Sequence, residues 1–258
     1  MQIYLTASPP EEADAGRRGL PLAHAAYRIG PDSRLVRREM LMQTRGGLLV
    51  LSDREAPEVT APETLAGDIL RECGRRSYTG AVLDFTGDAL PDRRIFAEAL
   101  ARTLSRNRRA LFLPAAYAGC VPGASVLLGT ALSGGNYTDY LREMAGRYGA
   151  GRIALDVERT AMDFTLPQPS GLGTPLTREA LETLRKERGP SVFFSQDLCA
   201  RYFTCPRGGS VHFILYDDAD TLTRKLQIAA ALGVGSAFLT YPELNDLLDR
   251  MYPRKGGQ

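Results

Sequence analysis

Residues 77–88 read SYTGAVLDFTGD. An apolar run, Ala81-Val82-Leu83, leads into Asp84 and Phe85 and stops at a turn containing Gly87. A short, near-continuous apolar run bounded by turn residues suits a parallel strand covered on both faces. The texture recurs along the chain, in QIYLTAS (2–8), LPLAHAAYRI (20–29), GGLLVLSD (46–53), RALFLPAAYA (109–118), SVLLGTALSG (125–134), RIALDVE (152–158) and SAFLTYPE (236–243). With TGAVLDFTG (79–87), that makes eight candidate strands.

Helical patterns fall between many of them. Thr60-Ala-Pro-Glu63 reads as a capping box with Pro in the first turn, followed by Leu65, Ile69 and Cys73 on one face. DRRIFAEALARTLSRNR (92–108) places Ile95, Phe96, Ala99, Leu100 and Leu104 on one stripe. Segments 136–149 and 177–189 each close on Gly, as helix C-termini often do, and 217–233 ends on Gly233. Residues 242–252 read as a last helix, and the tail PRKGGQ as frayed. Alternating strands and helices over 258 residues predict an α/β fold, a (β/α)8 TIM barrel formed by one domain, 1–258. One stretch breaks the rhythm. Two β-rich runs flank PRGG within 191–218, which reads as an antiparallel hairpin inserted late in the barrel.

Composition narrows the class. Net charge is +2 with both signs dispersed, so nothing points to nucleic acid or an anionic membrane. No apolar stretch approaches the roughly 20 residues needed to span a bilayer. The first residues lack the basic and apolar segments of a signal peptide, so the cytoplasm is the default location. Cys73, Cys120, Cys199 and Cys205 form no C-x-x-C pair and fit a reducing compartment; a Cys199–Cys205 disulfide is the minority reading. With His24 and His212 far apart in sequence, no metal site and no cofactor is expected.

Three stretches carry a resemblance. RYFTCPRGGSVHFILYDDADTLTRKLQIAAALGVGSAFLTYPEL (201–244) places Tyr216-Asp217-Asp218, Thr221, Lys225 and Gly233 in order. RIALDVERTAMDFTLP (152–167) is similar to a strand of type K-I-x-L-G-x-P-x-Y-G-x-D-W. YTGAVLDFTG (78–87) is similar to D-G-x-D-x-D-x-E. Together they resemble glycoside hydrolase family 18, the chitinase-like barrels, and most of all its short bacterial members of spore and peptidoglycan processing. The resemblance covers roughly the last two-thirds of the chain. It implies a TIM barrel acting on an amino-sugar glycan, and it admits association with a spore or cell envelope.

The catalytic pattern departs from the family. The resemblance places the general acid, a Glu, at Thr86, and the first two Asp at Thr79 and Val82; only Asp84 survives. Threonine has no proton to give near neutral pH. The family's tyrosine falls on Ala131, and its sugar-flooring tryptophan near Thr240; the chain has no tryptophan.

Strand alternation offers a relocated acid. If Leu83 and Phe85 face the helices, Val82, Asp84 and Thr86 face the lumen. By the same rule Ala154, Asp156 and Glu158 point inward. Asp84, Asp156 and Glu158 are the catalytic candidates, and a close pair would raise one pKa. The plainer reading is that Arg159 or Arg28 neutralises them. Tyr117, Tyr241 and Asp217 are candidates for contacting a ligand, against rim packing for the tyrosines. His212 is expected to be an ordinary exposed residue. Ser133-Gly134-Gly135 precedes a helix and suits either an anion or a tight turn. The preferred function is a non-catalytic homologue that binds a glycan or a protein partner at the C-terminal mouth. The alternatives are a glycosidase with relocated carboxylates and a structural protein of a bacterial cell or spore.

Overall fold

The computed structural model describes residues 1–38, 45–167 and 173–252. The tail PRKGGQ lies outside the described residues. In chain order the strands are β1 (Gln2–Ala7), β2 (Leu22–Ile29), β3 (Leu35–Arg37), β4 (Leu48–Ser52), β5 (Gly80–Asp84), β6 (Ala110–Pro114), β7 (Ser125–Gly129) and β8 (Ile153–Val157). They continue with β9 (Ala161–Leu166), β10 (Thr174–Pro175), β11 (Phe193–Ser195), β12 (Ala200–Arg207), β13 (Ser210–Tyr216) and β14 (Ser236–Thr240). The helices are α1 (Glu12–Gly16), α2 (Pro62–Arg76), α3 (Pro91–Arg106), α4 (Tyr137–Tyr148), α5 (Arg178–Arg188), α6 (Ala219–Ala231), α7 (Tyr241–Leu244) and α8 (Leu248–Met251). No helix among the described residues is long and apolar enough to cross a membrane.

Contacts gather into two compact units. The first comprises Met1–Gly129, Tyr148–Asp156 and Val234–Pro242; the second comprises Thr130–Arg147, Val157–Gly233 and the chain from Glu243 onward.

The first unit holds the barrel. Its sheet runs β1-β14-β8-β7-β6-β5-β4-β2, and pairing of β1 with β2 closes the ring. All eight expected strands are present, and β3 adds an antiparallel edge to β2. The lumen is a packed core of Ala23, Leu48, Val50, Val82, Phe112, Ala154 and Phe238, with Tyr4, Ala25 and Leu127 against it. Small residues on β2 and β8 leave room for rings from β1, β6 and β14. Tyr4 stacks on Phe238 at 5.2 Å, and Phe112 meets Phe238 edge-on at 5.1 Å. Such interdigitation of large and small side chains is what fills a barrel of this size. The outward-facing Leu49, Leu51, Ala81 and Leu83 are fully buried, as are Leu65 and Ile69 of α2 and Phe96 and Leu100 of α3. Gly80 is needed where it stands, since a Cβ there would sit 2.2 Å from the Ala110 carbonyl oxygen.

The second unit is built on a five-stranded antiparallel sheet, β10-β9-β13-β12-β11. The hairpin turn between β12 and β13 uses Gly208 and Gly209, both at positive φ. Helix α5 buries Leu181 and Leu184 with Phe203, Cys205, Ile214 and Tyr216 of the sheet. At the start of α6 Asp218 and Thr221 form a reciprocal capping box. Beside it lies a buried ion pair, Lys225 Nζ to Asp217 Oδ2 at 2.8 Å. Asp217 also accepts from the Thr221 hydroxyl at 2.8 Å and the Thr160 amide at 3.2 Å. Lys225 donates to the Thr130 carbonyl at 3.1 Å.

Three local expectations change. The Thr60–Glu63 box does not form; Ser33 Oγ instead accepts from the Thr60 and Ala61 amides at 2.8 and 2.9 Å, a partner from a distant segment. Ile95 is exposed, because it sits at the edge of the stripe that α3 buries. The expected helix 242–252 is two short pieces, α7 and α8. The run after Arg159, given no strand in the sequence reading, is β9, which pairs with β10 and β13 in the second sheet. All four cysteines are free.

Removing one partner of a buried ion pair leaves the other charge uncompensated, at a cost of about 3–5 kcal/mol. Lys225→Met is therefore expected to lower unfolding stability by that amount in urea titrations. The double variant with Asp217→Leu should recover most of the loss. A single variant as stable as the parent would contradict the structural role given to this pair.

Candidate functional site

Barrel enzymes keep their chemistry at the C-terminal ends of the strands. The register places the side chains there. Thr6 of β1 lies beside Thr240 of β14, Ser52 of β4 beside Asp84 of β5, and Gly129 of β7 beside Asp156 of β8. Val82 and Ala154 both sit in the lumen core, and the period of two carries Asp84 and Asp156 inward one layer above them. The mouth layer of the barrel unit is thus polar: Thr6, Ser52, Asp84, Asp156 and Thr240.

Asp84 is reached by solvent, yet the protein around it holds its carboxyl above the ordinary aspartate range. Loss of hydration is the main cause; the negative charge of Asp53 adds to it and the Arg54 cation opposes it. Thr86, at the position the resemblance gives to the acid, is exposed, and its amide donates to Asp53 Oδ1 at 3.3 Å. Asp53 also lies 3.9 Å from the buried Arg93. Arg93 is held by the Pro57 carbonyl at 2.9 Å and by Asp92. Asp53 escaped the sequence reading, although its place just after β4 is a signal for a mouth residue. Thr79 lies at the opposite end of β5, its hydroxyl bonded to the Gly47 carbonyl at 3.1 Å.

The other candidates are held to different degrees by their surroundings. In the barrel unit Tyr117 is buried, with its ring edge-on to Phe85 at 5.7 Å. Tyr241 is buried, with its hydroxyl bonded to Asp14. His24 has Glu12 Oε1 at 2.8 Å on Nδ1 and the Gly46 carbonyl at 3.0 Å on Nε2. In the sheet unit Asp217 belongs to the Lys225 pair described above. Glu158 Oε2 accepts from the Ala131 amide at 3.3 Å, and its backbone amide donates to the Thr130 hydroxyl at 3.1 Å. Arg159 goes to Asp246 at 3.0 Å rather than to a candidate carboxylate. His212 is buried, not exposed, because its Nδ1 is 2.7 Å from the buried Asp163, which Arg207 also meets at 2.6 Å. At the start of α4, Asn136 Oδ1 accepts from the Thr138 and Asp139 amides at 2.9 and 3.1 Å, so a side chain fills the place suggested for an anion.

The eight-strand parallel ring, with the strands of the antiparallel sheet inserted in sequence between its seventh and eighth members, defines a (β/α)8 TIM barrel. No family model matches the sequence, and no curated protein does either. Solved structures do. A chitinase from Chromobacterium violaceum matches with a TM-score of 0.69 at 14% identity, over 94% of this chain and 94% of that one. A family 18 N-acetylglucosaminidase from Paenibacillus barengoltzii matches with 0.68 at 14%, over 97% and 98%. The Bacillus cereus spore cortex-lytic enzyme matches with 0.67 at 15%, over 99% and 75%. At such identities the likeness is one of fold.

Because the folded state favours protonated Asp84, the sign of its contribution is fixed. The stability it adds is present below the unfolded value of about 3.8 and is lost as pH rises through the folded pKa. Asp84→Asn should therefore raise the melting temperature at neutral pH, and the gain should vanish below about pH 3.8. A lower melting temperature for the variant at neutral pH would show instead that the charge is stabilised in place.

Proposed function

We propose that this protein is a non-catalytic relative of the family 18 glycoside hydrolases that holds an amino-sugar glycan at the mouth of its barrel. One observation carries the reading. Asp84 ends β5 at the mouth, while Thr86, where the resemblance places the acid, lies just beyond the strand with its amide tied to Asp53. The resemblance gives the neighbouring aspartate the task of orienting an acetamido group. A carboxylate can accept from that amide N–H and from sugar hydroxyls without breaking a glycosidic bond. Hydrolysis needs a proton delivered to the leaving oxygen, and neither Thr86 nor Ala131 can deliver one. The fold shared with enzymes named for chitin and for spore cortex supports a glycan of that chemistry over an unrelated ligand.

A second reading has its own support. The raised pKa of Asp84 is the shift a general acid requires, and Asp156 shares the polar layer of the mouth. On that reading Asp84 protonates the leaving oxygen and the protein is a glycosidase with a relocated acid. Glu158 is assigned no part in either reading; its carboxylate accepts from the Ala131 amide at 3.3 Å.

Titration calorimetry with a chitin oligosaccharide tests the binding claim. Saturable heat is expected for the parent and for Glu158→Gln. For Asp84→Asn, binding should weaken by about tenfold, the worth of one hydrogen bond to a charged group. No saturable heat with either chitin or peptidoglycan fragments would remove the glycan and leave a protein partner or a structural role.

A further inference from the structure

The sheet unit carries a cavity of about 440 Å³ that no part of the barrel reading uses. Its walls include Phe194 of β11, Arg201 of β12, Asp220, Arg224 and Gln227 of α6, and Arg250 of α8. The size falls within the roughly 300–1,000 Å³ typical of small-molecule sites.

The charges in it do not balance. Three guanidiniums line the cavity beside one lining carboxylate, Asp220. Arg201 is spent on Asp218 at 3.1 Å and Asp220 at 3.6 Å, and Arg250 on the same Asp220 at 3.0 Å. Arg224 meets only a neutral acceptor, Gln196 Oε1, at 3.4 Å. Among the described residues no carboxylate lies within ion-pair distance of Arg224. Counting Asp218 as well, three cations face two anions, and the surplus belongs to Arg224. A guanidinium offers five N–H donors in a planar fork, and one long contact leaves most of them without a protein acceptor.

Two of the cations share an aromatic support. Arg201 and Arg224 both lie over the Phe194 ring, at 5.9 and 5.4 Å from its centroid. Asp220 anchors Arg201 and Arg250 from helix α6. Side chains ordered before a ligand arrives lose less freedom on binding, which favours recognition.

From this arrangement we infer that the cavity lined by Arg201, Arg224 and Arg250 binds a small ligand through a phosphate or carboxylate group. Arg224 supplies the unneutralised charge and the main contact. Arg250 offers its remaining donors, and Phe194 fixes the planes of the guanidiniums. The inference rests on residues of the sheet unit alone and is independent of what the barrel mouth holds.

Calorimetry on the full chain tests it with three probes: inorganic phosphate, glucuronate, and glucose as the uncharged match to glucuronate. The expected result is saturable binding of at least one anion, weakened by added salt, with glucose silent. Response to phosphate alone assigns a phosphate ligand, to glucuronate alone a carboxylate; response to both leaves the shared anion chemistry. Arg224→Ala, at an exposed position, should weaken binding by about tenfold or more. Gln227→Glu should weaken it similarly by placing a negative charge in the cavity, with the melting temperature unchanged. The inference is overturned if neither anion binds, or if both variants bind the anion as the parent does.

Discussion

Eight strands can close on themselves only if half of their side chains fit inside the ring. That constraint governs everything observed in the barrel unit. Tyr4, Phe112 and Phe238 fill the lumen because alanines at 23, 25 and 154 make way for them. The same constraint fixes which residues emerge at the mouth. With Val82 and Ala154 locked inside, the period of two leaves Asp84 and Asp156 no other side to face. A one-residue slip in β5 would carry Leu83 into the lumen and Asp84 onto the outer face, at a large cost in buried apolar surface.

Much of the barrel was legible because its signals are local. Each strand is a short apolar run closed by a turn, and all eight appear near their expected bounds. The late hairpin was legible for the same reason, since two glycines can take the positive φ its turn needs. What sequence reading missed depends on partners far away in the chain. Ser33 displaced the expected cap of α2 from 27 residues upstream. Strand β9 has no place among the expected strands, because its pairing with β13 joins residues about 50 positions apart. The polar residues were the hardest to read. His212 reads as exposed until Asp163, 49 residues earlier, is brought to it. Asp53 gains meaning only beside Thr86 and Arg93.

Charged groups in both units follow one rule: a buried ion must have its partners at hand. Glu12 with His24, and Asp163 with Arg207 and His212, are spent in this way, as is Asp217 with Lys225. Tyr117 and Tyr241, attractive as sugar contacts in the sequence, lie inside the barrel unit. Two places remain where charge is not fully answered. Asp84 sits at the mouth with its proton held more tightly than usual, and Arg224 sits in the cavity of the sheet unit with a neutral amide for company. These two are where ligand chemistry should be sought first.

The proposed function requires that no group of this barrel protonate the leaving oxygen of a bound glycan. Mass spectrometry of a chitin oligosaccharide incubated with concentrated protein, across acidic to neutral pH, puts that most directly to the test. The oligosaccharide is expected to stay at full length at every pH. Shorter products that disappear in Asp84→Asn would contradict it and make Asp84 the acid of a working enzyme.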